Sequence, residues 1–153
     1  MPHKPYNTRA GLPTILSVLL VAAGCSQQSG GEDAGDKPAA PVDPVMARGE
    51  AVYYANCVAC HLPGGTGLEG AFPPLAGSDY LAGDPGRVIS TILYGNEGPI
   101  TVNGVQYNGV MPGFAFLTDD EVAGVVTYIF RSWGNDLPAV GPEDVAAVRT
   151  PPQ

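Results

Sequence analysis

The sequence predicts an all-α domain of three main helices joined by long loops, with one minor hairpin. Three apolar segments with helical spacing, each preceded by a capping signal, indicate the helices. The 153 residues include 21 Gly and 16 Pro, roughly twice the average usage, which predicts the long loops. A hydrophobic fraction of 44% is enough for one small core and, at this length, not for two domains.

The first two helices are expected to begin at the same local signal, a capping aspartate followed by proline. Asp43-Pro44 starts a helix that extends to Asn56, and Asp84-Pro85 starts a shorter helix that Gly95 ends. The aspartate carboxylate can accept hydrogen bonds from amides of the first turn, and a proline there has no amide to satisfy. Residues 62–83, between these helices, are dominated by glycine and proline and are predicted to be loop.

The last main helix begins at a capping box. Thr118 and Glu121 have the spacing that lets each side chain bond the other residue's amide, and the apolar pattern that follows reaches about Ser132. Asn103-Gly104 lies between two short β-prone segments and predicts a two-residue hairpin turn.

The charge balance excludes nucleic acid as a partner. The chain has 7 Lys and Arg against 15 Asp and Glu, a net charge of −8. From Cys25 onward there are 5 basic and 15 acidic side chains, so the net charge of that segment is −10. A surface this acidic repels phosphate backbones and anionic membrane surfaces.

The N-terminus has the features of an export signal. Lys4 and Arg9 precede an apolar run at residues 12–23, which is too short to span a bilayer, since spanning needs roughly 20 apolar residues. The run ends in Val21-Ala22-Ala23-Gly24-Cys25, which resembles the lipobox of bacterial lipoproteins. The resemblance implies a signal peptide at 1–24 and a lipidated Cys25; the alternative is an ordinary cleavage site with an incidental cysteine.

Composition divides the rest of the chain into three segments. Residues 26–43 contain one valine and no aromatic residue, so we assign 25–43 to a flexible linker. The globular domain is placed at 44–137. Residues 138–153 are assigned to a C-terminal tail with a marginal helical turn.

Cys57-Val58-Ala59-Cys60-His61 is the motif that points to a function. The spacing Cys-x-x-Cys-His is typical of covalent c-type haem attachment. On a helix, positions i, i+3 and i+4 share one face, so both thiols and the imidazole would point the same way. Two thiols could then bond the two vinyl groups of one porphyrin while His61 binds its iron.

Three other interpretations of this motif fit the sequence less well. A thioredoxin-like dithiol would need a βαβ setting, which the sequence does not predict. A zinc site would need further ligands, but His3 lies in the signal and Cys25 lies before the linker. A structural disulfide would not require His61. Haem attachment is therefore the favoured interpretation.

A second axial ligand is expected at Met111. After residue 46 the chain has one Met, and after His61 it has neither a further His nor a further Cys. Met111 is flanked by Gly109, Pro112 and Gly113, which indicates a rigid loop more than an apolar helical face. Met46 is the alternative ligand, although it lies on the helix that leads into the motif.

The stretch 44–137 resembles the class I, single-haem bacterial cytochromes c. Gly49 and Tyr53 match that family's first helix, and the resemblance implies that the glycine lets this helix cross closely against Tyr128. Pro73-Pro74-Leu75 resembles the Pro-x-Leu segment. By that match the Pro73 carbonyl accepts a hydrogen bond from Nδ1 of His61, and Leu75 packs on the porphyrin. Gly109 to Pro112 resembles the family's Met-Pro ligand loop.

The resemblance implies an electron carrier with one covalent haem c and no catalytic residues. The hairpin and the segment 131–135 look like a subgroup that includes cytochrome subunits of periplasmic dehydrogenases and reductases. We therefore expect a lipid-anchored protein on the periplasmic side of a bacterial membrane, with redox proteins as donor and acceptor. The alternatives are a soluble periplasmic protein, a haem subunit bound stably to a dehydrogenase or reductase, and a ligand-sensing or peroxidatic haem protein.

Overall fold

The computed structural model describes residues 43–149. The predicted signal peptide, the lipidation site Cys25 and the linker before Asp43 lie outside the described residues, as do residues 150–153. None of the helices between residues 43 and 149 is long and apolar enough to cross a membrane. The elements in chain order are α1 (Pro44–Asn56), α2 (Val58–His61), a 3₁₀ turn (Asp79–Leu81), α3 (Pro85–Tyr94), β1 (Ile100–Val102), β2 (Val105–Tyr107), α4 (Asp119–Arg131) and α5 (Pro142–Arg149).

The predicted helix starts are confirmed at α1 and α3. The Asp43 carboxylate accepts a hydrogen bond from the Val45 amide at 2.9 Å, and the Asp84 carboxylate accepts one from the Gly86 amide at 2.9 Å. Each proline stands at the start of its helix, where a missing amide costs nothing.

The capping box at the start of α4 is also confirmed. The Thr118 amide donates to Glu121 Oε2 at 2.8 Å, and the Glu121 amide donates to Thr118 Oγ1 at 3.3 Å. The hydrogen bond from the Thr118 amide, followed by that from its hydroxyl, lowers the pKa of Glu121. Glu121 therefore stays ionised at the positive end of the helix dipole.

The predicted hairpin is formed by β1 and β2, whose antiparallel register pairs Val102 with Val105. Asn103 and Gly104 both have positive φ, 51° and 79°. Positive φ at both central residues is required by the two-residue hairpin turn whose twist matches that of the paired strands. The Asn103 amide donates to Asp79 Oδ1 at 2.7 Å, and the Asp79 amide donates to Asn103 Oδ1 at 2.9 Å. This reciprocal pair fastens the hairpin to the 3₁₀ turn.

The backbones of α1 and α4 touch at two glycines. A Cβ added to Gly49 would lie 2.6 Å from the carbonyl carbon of Gly124 and 2.7 Å from Cβ of Tyr128. These separations are too short for carbon atoms, so only glycine permits the crossing. The Tyr128 contact agrees with the family resemblance, whereas the sequence analysis did not anticipate Gly124.

The core extends past the predicted domain boundary at residue 137. Helix α5 packs against α3 and α4, with Val145 fully buried and Val140 6% exposed. Thr127 of α4 bonds both backbone groups of Val140 through its hydroxyl, at 3.0 and 3.3 Å. Residues 138–149 are therefore part of the globular unit. This segment has few apolar residues, and polar residues separate them. The helical pattern was therefore too weak for the sequence to show that the segment packs on the core.

We expect Gly49→Ala to destabilise the haem-loaded protein by about 1–3 kcal/mol, because overpacking forces two backbones apart. Gly64→Ala is the control, since its added Cβ would meet only Thr66, at 3.6 Å. Guanidinium unfolding followed by circular dichroism measures both. Equal stability of the two variants would show that the α1–α4 crossing tolerates a side chain.

Candidate cofactor site

A large apolar cleft opens beside the core. Its volume is about 1080 Å³ including the open mouth. Among the described residues, no Asp, Glu, Lys or Arg side chain lines it. Its walls come from α1–α2, the loop before the 3₁₀ turn, α3, the hairpin and α4, through residues such as Cys57, Cys60, His61, Phe72, Pro73, Leu75, Tyr80, Val88, Ile92, Val102, Tyr107, Met111 and Ile129.

The structure brings Cys57, Cys60 and His61 to the same wall of this cleft. Helix α1 ends at Asn56, Cys57 occupies the junction, and α2 is a single turn that ends at His61. The His61 amide donates to the Cys57 carbonyl at 3.0 Å, which is the helical hydrogen bond between positions i and i+4. The predicted one-face arrangement therefore results from one turn of helix, although that turn is separate from α1.

Neither thiol is in a disulfide, and both are partly buried. Burial, and then the charge of Cys60, raise the pKa of the Cys57 thiol to about 11. The thiol is therefore protonated at neutral pH. A thiol can add across a vinyl group so that sulfur bonds one carbon and the hydrogen goes to the other.

His61 is oriented by a backbone carbonyl on the opposite loop. Its Nδ1 lies 3.0 Å from the Pro73 carbonyl oxygen, the partner that the family resemblance implied. Because Nδ1 carries the ring proton and donates it to this carbonyl, Nε2 keeps a free lone pair and is the ring atom that can bind a metal. Burial lowers the pKa of His61, and the bond to Pro73 opposes that shift. The imidazole is therefore neutral at pH 7 and able to bind a metal.

The backbone reverses direction immediately after His61. Leu62 has a φ of 62°, an uncommon value for a residue with a branched side chain. The buried Tyr53 hydroxyl donates to the Leu62 carbonyl at 2.7 Å, and the Gly67 amide donates to the His61 carbonyl at 3.0 Å. These bonds hold the reversal in place. The sequence marked Tyr53 as part of a family pattern but gave no sign of this contact.

The wall that carries Pro73 and Leu75 is held by Asn135, which belongs to the segment 131–135 of the family resemblance but had no role predicted from the sequence. The Asn135 amide nitrogen donates to the Leu75 and Ile129 carbonyls at 2.9 and 2.8 Å. Its carbonyl oxygen accepts from the Gly77 amide at 2.9 Å. One side chain thus joins the loop to the end of α4. The Leu75 and Gly77 partners lie 60 and 58 positions away, so no local signal could have indicated it.

Met111 lines the same cleft as the motif, from a separate loop. A pair of backbone hydrogen bonds with Asn96, at 2.9 and 3.0 Å, holds it beside the end of α3. Met111 and His61 both line the large cleft, and they also line a second, smaller cavity with Cys57, Cys60 and Phe114. Met46, the alternative ligand, packs against the core on α1 and lines neither of these two cavities.

Comparison with known proteins agrees with this geometry. The family described as "Cytochrome C oxidase, cbb3-type, subunit III" matches residues 44–129. The chain belongs to the cytochrome c family. The predicted all-α cytochrome c fold is therefore confirmed. As a cytochrome c, the chain carries one covalently bound haem c and transfers electrons.

The relatives fall into two groups. Cytochrome c-552 of Thermus thermophilus is 48% identical over 89 residues, which cover 56% of this chain and 68% of that protein. A second cytochrome c-552 of the same species is also 48% identical over 89 residues, which cover 60% of its length. The cytochrome c subunit of a quinone alcohol dehydrogenase from Gluconobacter oxydans is 38% identical over 105 residues. That match covers 67% of this chain and 22% of the subunit. The cytochrome c subunit of gluconate 2-dehydrogenase from Pantoea cypripedii is 39% identical and is covered to 24%.

The residues of the cleft fit a haem c. An apolar cavity could accept a porphyrin, two thiols on one turn of helix could form thioethers, and the imidazole and thioether side chains that line the same cleft belong to types that bind haem iron.

We expect Asn135→Asp to destabilise the protein by about 1–3 kcal/mol at pH 7, because a carboxylate cannot donate to the Leu75 and Ile129 carbonyls. We expect the facing oxygens to raise the pKa of the new carboxyl in the folded state. The loss of stability should therefore be full above that pKa and shrink as the pH falls through it, since the protonated group can donate one hydrogen bond. Gln106→Glu, which adds the same charge on the exposed hairpin, is the control. Unfolding by guanidinium at several pH values would refute this role if both variants lost the same stability.

Proposed function

We propose that this chain is a one-electron carrier in which Cys57 and Cys60 hold the haem through thioether bonds and His61 and Met111 bind its iron. The observation that supports this most is the position of these four side chains on the walls of one apolar cleft. The haem, when bound, supplies the reversible Fe(II)/Fe(III) couple. The protein supplies attachment, two axial ligands and exclusion of water.

The residues around His61 and Met111 set the character of this couple. Pro73 fixes the proton on Nδ1 of His61, so that Nε2 is available to the iron, and Leu75 provides apolar contact on the same wall. A thioether as second ligand favours the reduced iron and raises the potential. If His61 and Met111 both bind the iron, these side chains would leave no open position for oxygen or substrate, as expected for a carrier.

A free carrier is favoured over a fixed enzyme subunit by sequence identity, which is 48% to cytochrome c-552 and 38–39% to the alcohol and gluconate dehydrogenase subunits. The second candidate is a haem subunit of a dehydrogenase, which the 38–39% identity to those subunits supports. Purification from native membranes separates the two candidates: a larger oxidoreductase that stays bound in stoichiometric amount would favour the subunit.

The sequence before Asp43 supports a location on the periplasmic side of a bacterial membrane. A basic start, a short apolar run and the lipobox-like ending at Cys25 are the features of an exported lipoprotein. A lipid on Cys25 followed by the linker 25–43 would let the domain meet redox partners near the membrane surface.

We expect Met111→Ala to lose the weak far-red absorption band that a thioether gives when bound to ferric haem c. The variant should have a lower midpoint potential, and its reduced form should bind carbon monoxide rapidly. Met46→Ala is the matched control and should keep the band, since Met46 packs in the core. If the band survives in Met111→Ala, the assignment of Met111 as ligand is wrong; loss in Met46→Ala instead would transfer it to that residue.

We expect Cys25→Ser to move the protein from the membrane to the soluble periplasmic fraction, because serine cannot receive the lipid. Fractionation followed by detection of covalent haem measures the distribution. Equal soluble recovery of wild type and variant would contradict the anchor and leave the soluble periplasmic alternative.

A further inference from the structure

Arg149, the last residue of α5, makes three contacts with a segment far from it in sequence. Its Nη1 donates to the Ala115 carbonyl at 3.0 Å, and its Nη2 donates to the Leu117 carbonyl. Its Nε donates to Asp119 Oδ1 at 2.6 Å, with 26% of the arginine side chain and 35% of the aspartate side chain exposed. The guanidinium thus joins the end of α5 to the start of α4 and the residues before it.

The carbonyls that Arg149 binds belong to residues 108–118, the segment that carries Met111 and is called here the Met111 loop. The first part of this loop is fastened to the end of α3. Met111 pairs with Asn96 through two backbone hydrogen bonds, and the Phe114 amide donates to the Ile92 carbonyl at 2.8 Å. A Cβ on Gly113 would lie 2.7 Å from the Leu93 carbonyl oxygen, so this approach to α3 is close.

The second part of the loop is fastened by Arg149. Leu117 is 7% exposed, and its amide bonds Phe114 within the loop. The two arginine bonds to Ala115 and Leu117 connect this part of the loop to a helix that packs on α3 and α4. Charge-assisted bonds from a planar guanidinium constrain direction as well as distance.

We propose that Arg149 is a positioning residue for Met111: by holding the second part of the Met111 loop, it keeps the thioether in place at the iron. This inference rests on the proposed ligation by Met111. Arg149 does not line the cleft, so it acts through the loop. Removing it should leave α1, α3 and α4 formed and increase the fraction of molecules in which the loop opens locally.

The chain offers two matched arginines as controls. Arg48 pairs with Asp120 at 3.2 Å, next to Asp119 on the same helix. Arg131 ends α4 and donates to the Leu137 carbonyl at 2.8 Å, which makes it a terminal arginine that ties a helix to a loop elsewhere. Arg48→Ala thus controls for the loss of a positive charge, and Arg131→Ala controls for the loss of an arginine-to-carbonyl hydrogen bond.

The experiment measures imidazole binding to the oxidised, haem-loaded full chain. Binding is monitored through loss of the far-red band, at a temperature well below that of unfolding. Imidazole must compete with the Met111 thioether, so its affinity reports how often the loop opens. We expect Arg149→Ala to bind imidazole about tenfold more tightly than the wild type, the effect of losing roughly one net charge-assisted hydrogen bond. Arg149→Lys, which keeps the charge and one donor, should lie between them, and Arg48→Ala and Arg131→Ala should match the wild type.

Two results would overturn the inference in different ways. If Arg149→Ala binds imidazole as Arg48→Ala and Arg131→Ala do, Arg149 has only a general structural role, while ligation by Met111 stands. If the wild-type band persists in Met111→Ala, the ligand assignment itself fails, and the role of Arg149 with it. If Arg149→Ala does not accumulate as haem protein, Arg149→Lys is the deciding variant. An imidazole affinity of Arg149→Lys equal to that of the wild type would contradict the inference.

Discussion

An apolar cleft of about 1080 Å³, including its open mouth, lies between the helices and the loops, and the other elements are arranged around it. A domain of this size buries only a modest fraction of its surface. Here the buried side chains cluster where α1, α3, α4 and α5 meet, and the cleft lies beside that cluster. A covalently held apolar group is what such a fold requires, since burial of its surface stabilises the domain by about 25 cal/mol per Å².

The position of the site depends on a contact outside the cleft. Gly49 and Gly124 let α1 approach α4 at backbone distance, and α1 leads directly into the turn that carries both thiols and the imidazole. Polar bonds hold two other parts of the cleft, from Asn135 to the loop of Leu75 and from Arg149 to the Met111 loop. Apolar packing thus positions the turn of Cys57, Cys60 and His61, and hydrogen bonds hold the loops that face the cleft.

Sequence reasoning succeeded where the physical signal is local. Capping aspartates, the Thr118 capping box and the Asn103-Gly104 turn all act within a few residues, and each predicted element is present. The Cys-x-x-Cys-His spacing placed three side chains on one wall because a single helical turn determines it. Gly124, Asn135 and Arg149 were missed, since each acts on a partner tens of positions away. Helix α5 was underestimated because most of its stabilisation comes from tertiary packing of Val145.

We expect the haem to complete the core, and the haem-free chain provides the test. Cys57→Ala/Cys60→Ala removes both attachment points and leaves the helix caps and glycines unchanged. The measurement is far-ultraviolet circular dichroism during thermal unfolding, with the haem-loaded wild type as reference. The double variant should lack most of the helical signal and show no cooperative transition. Native helical content with a cooperative transition in that variant would contradict this expectation, because the polypeptide would then form its core alone.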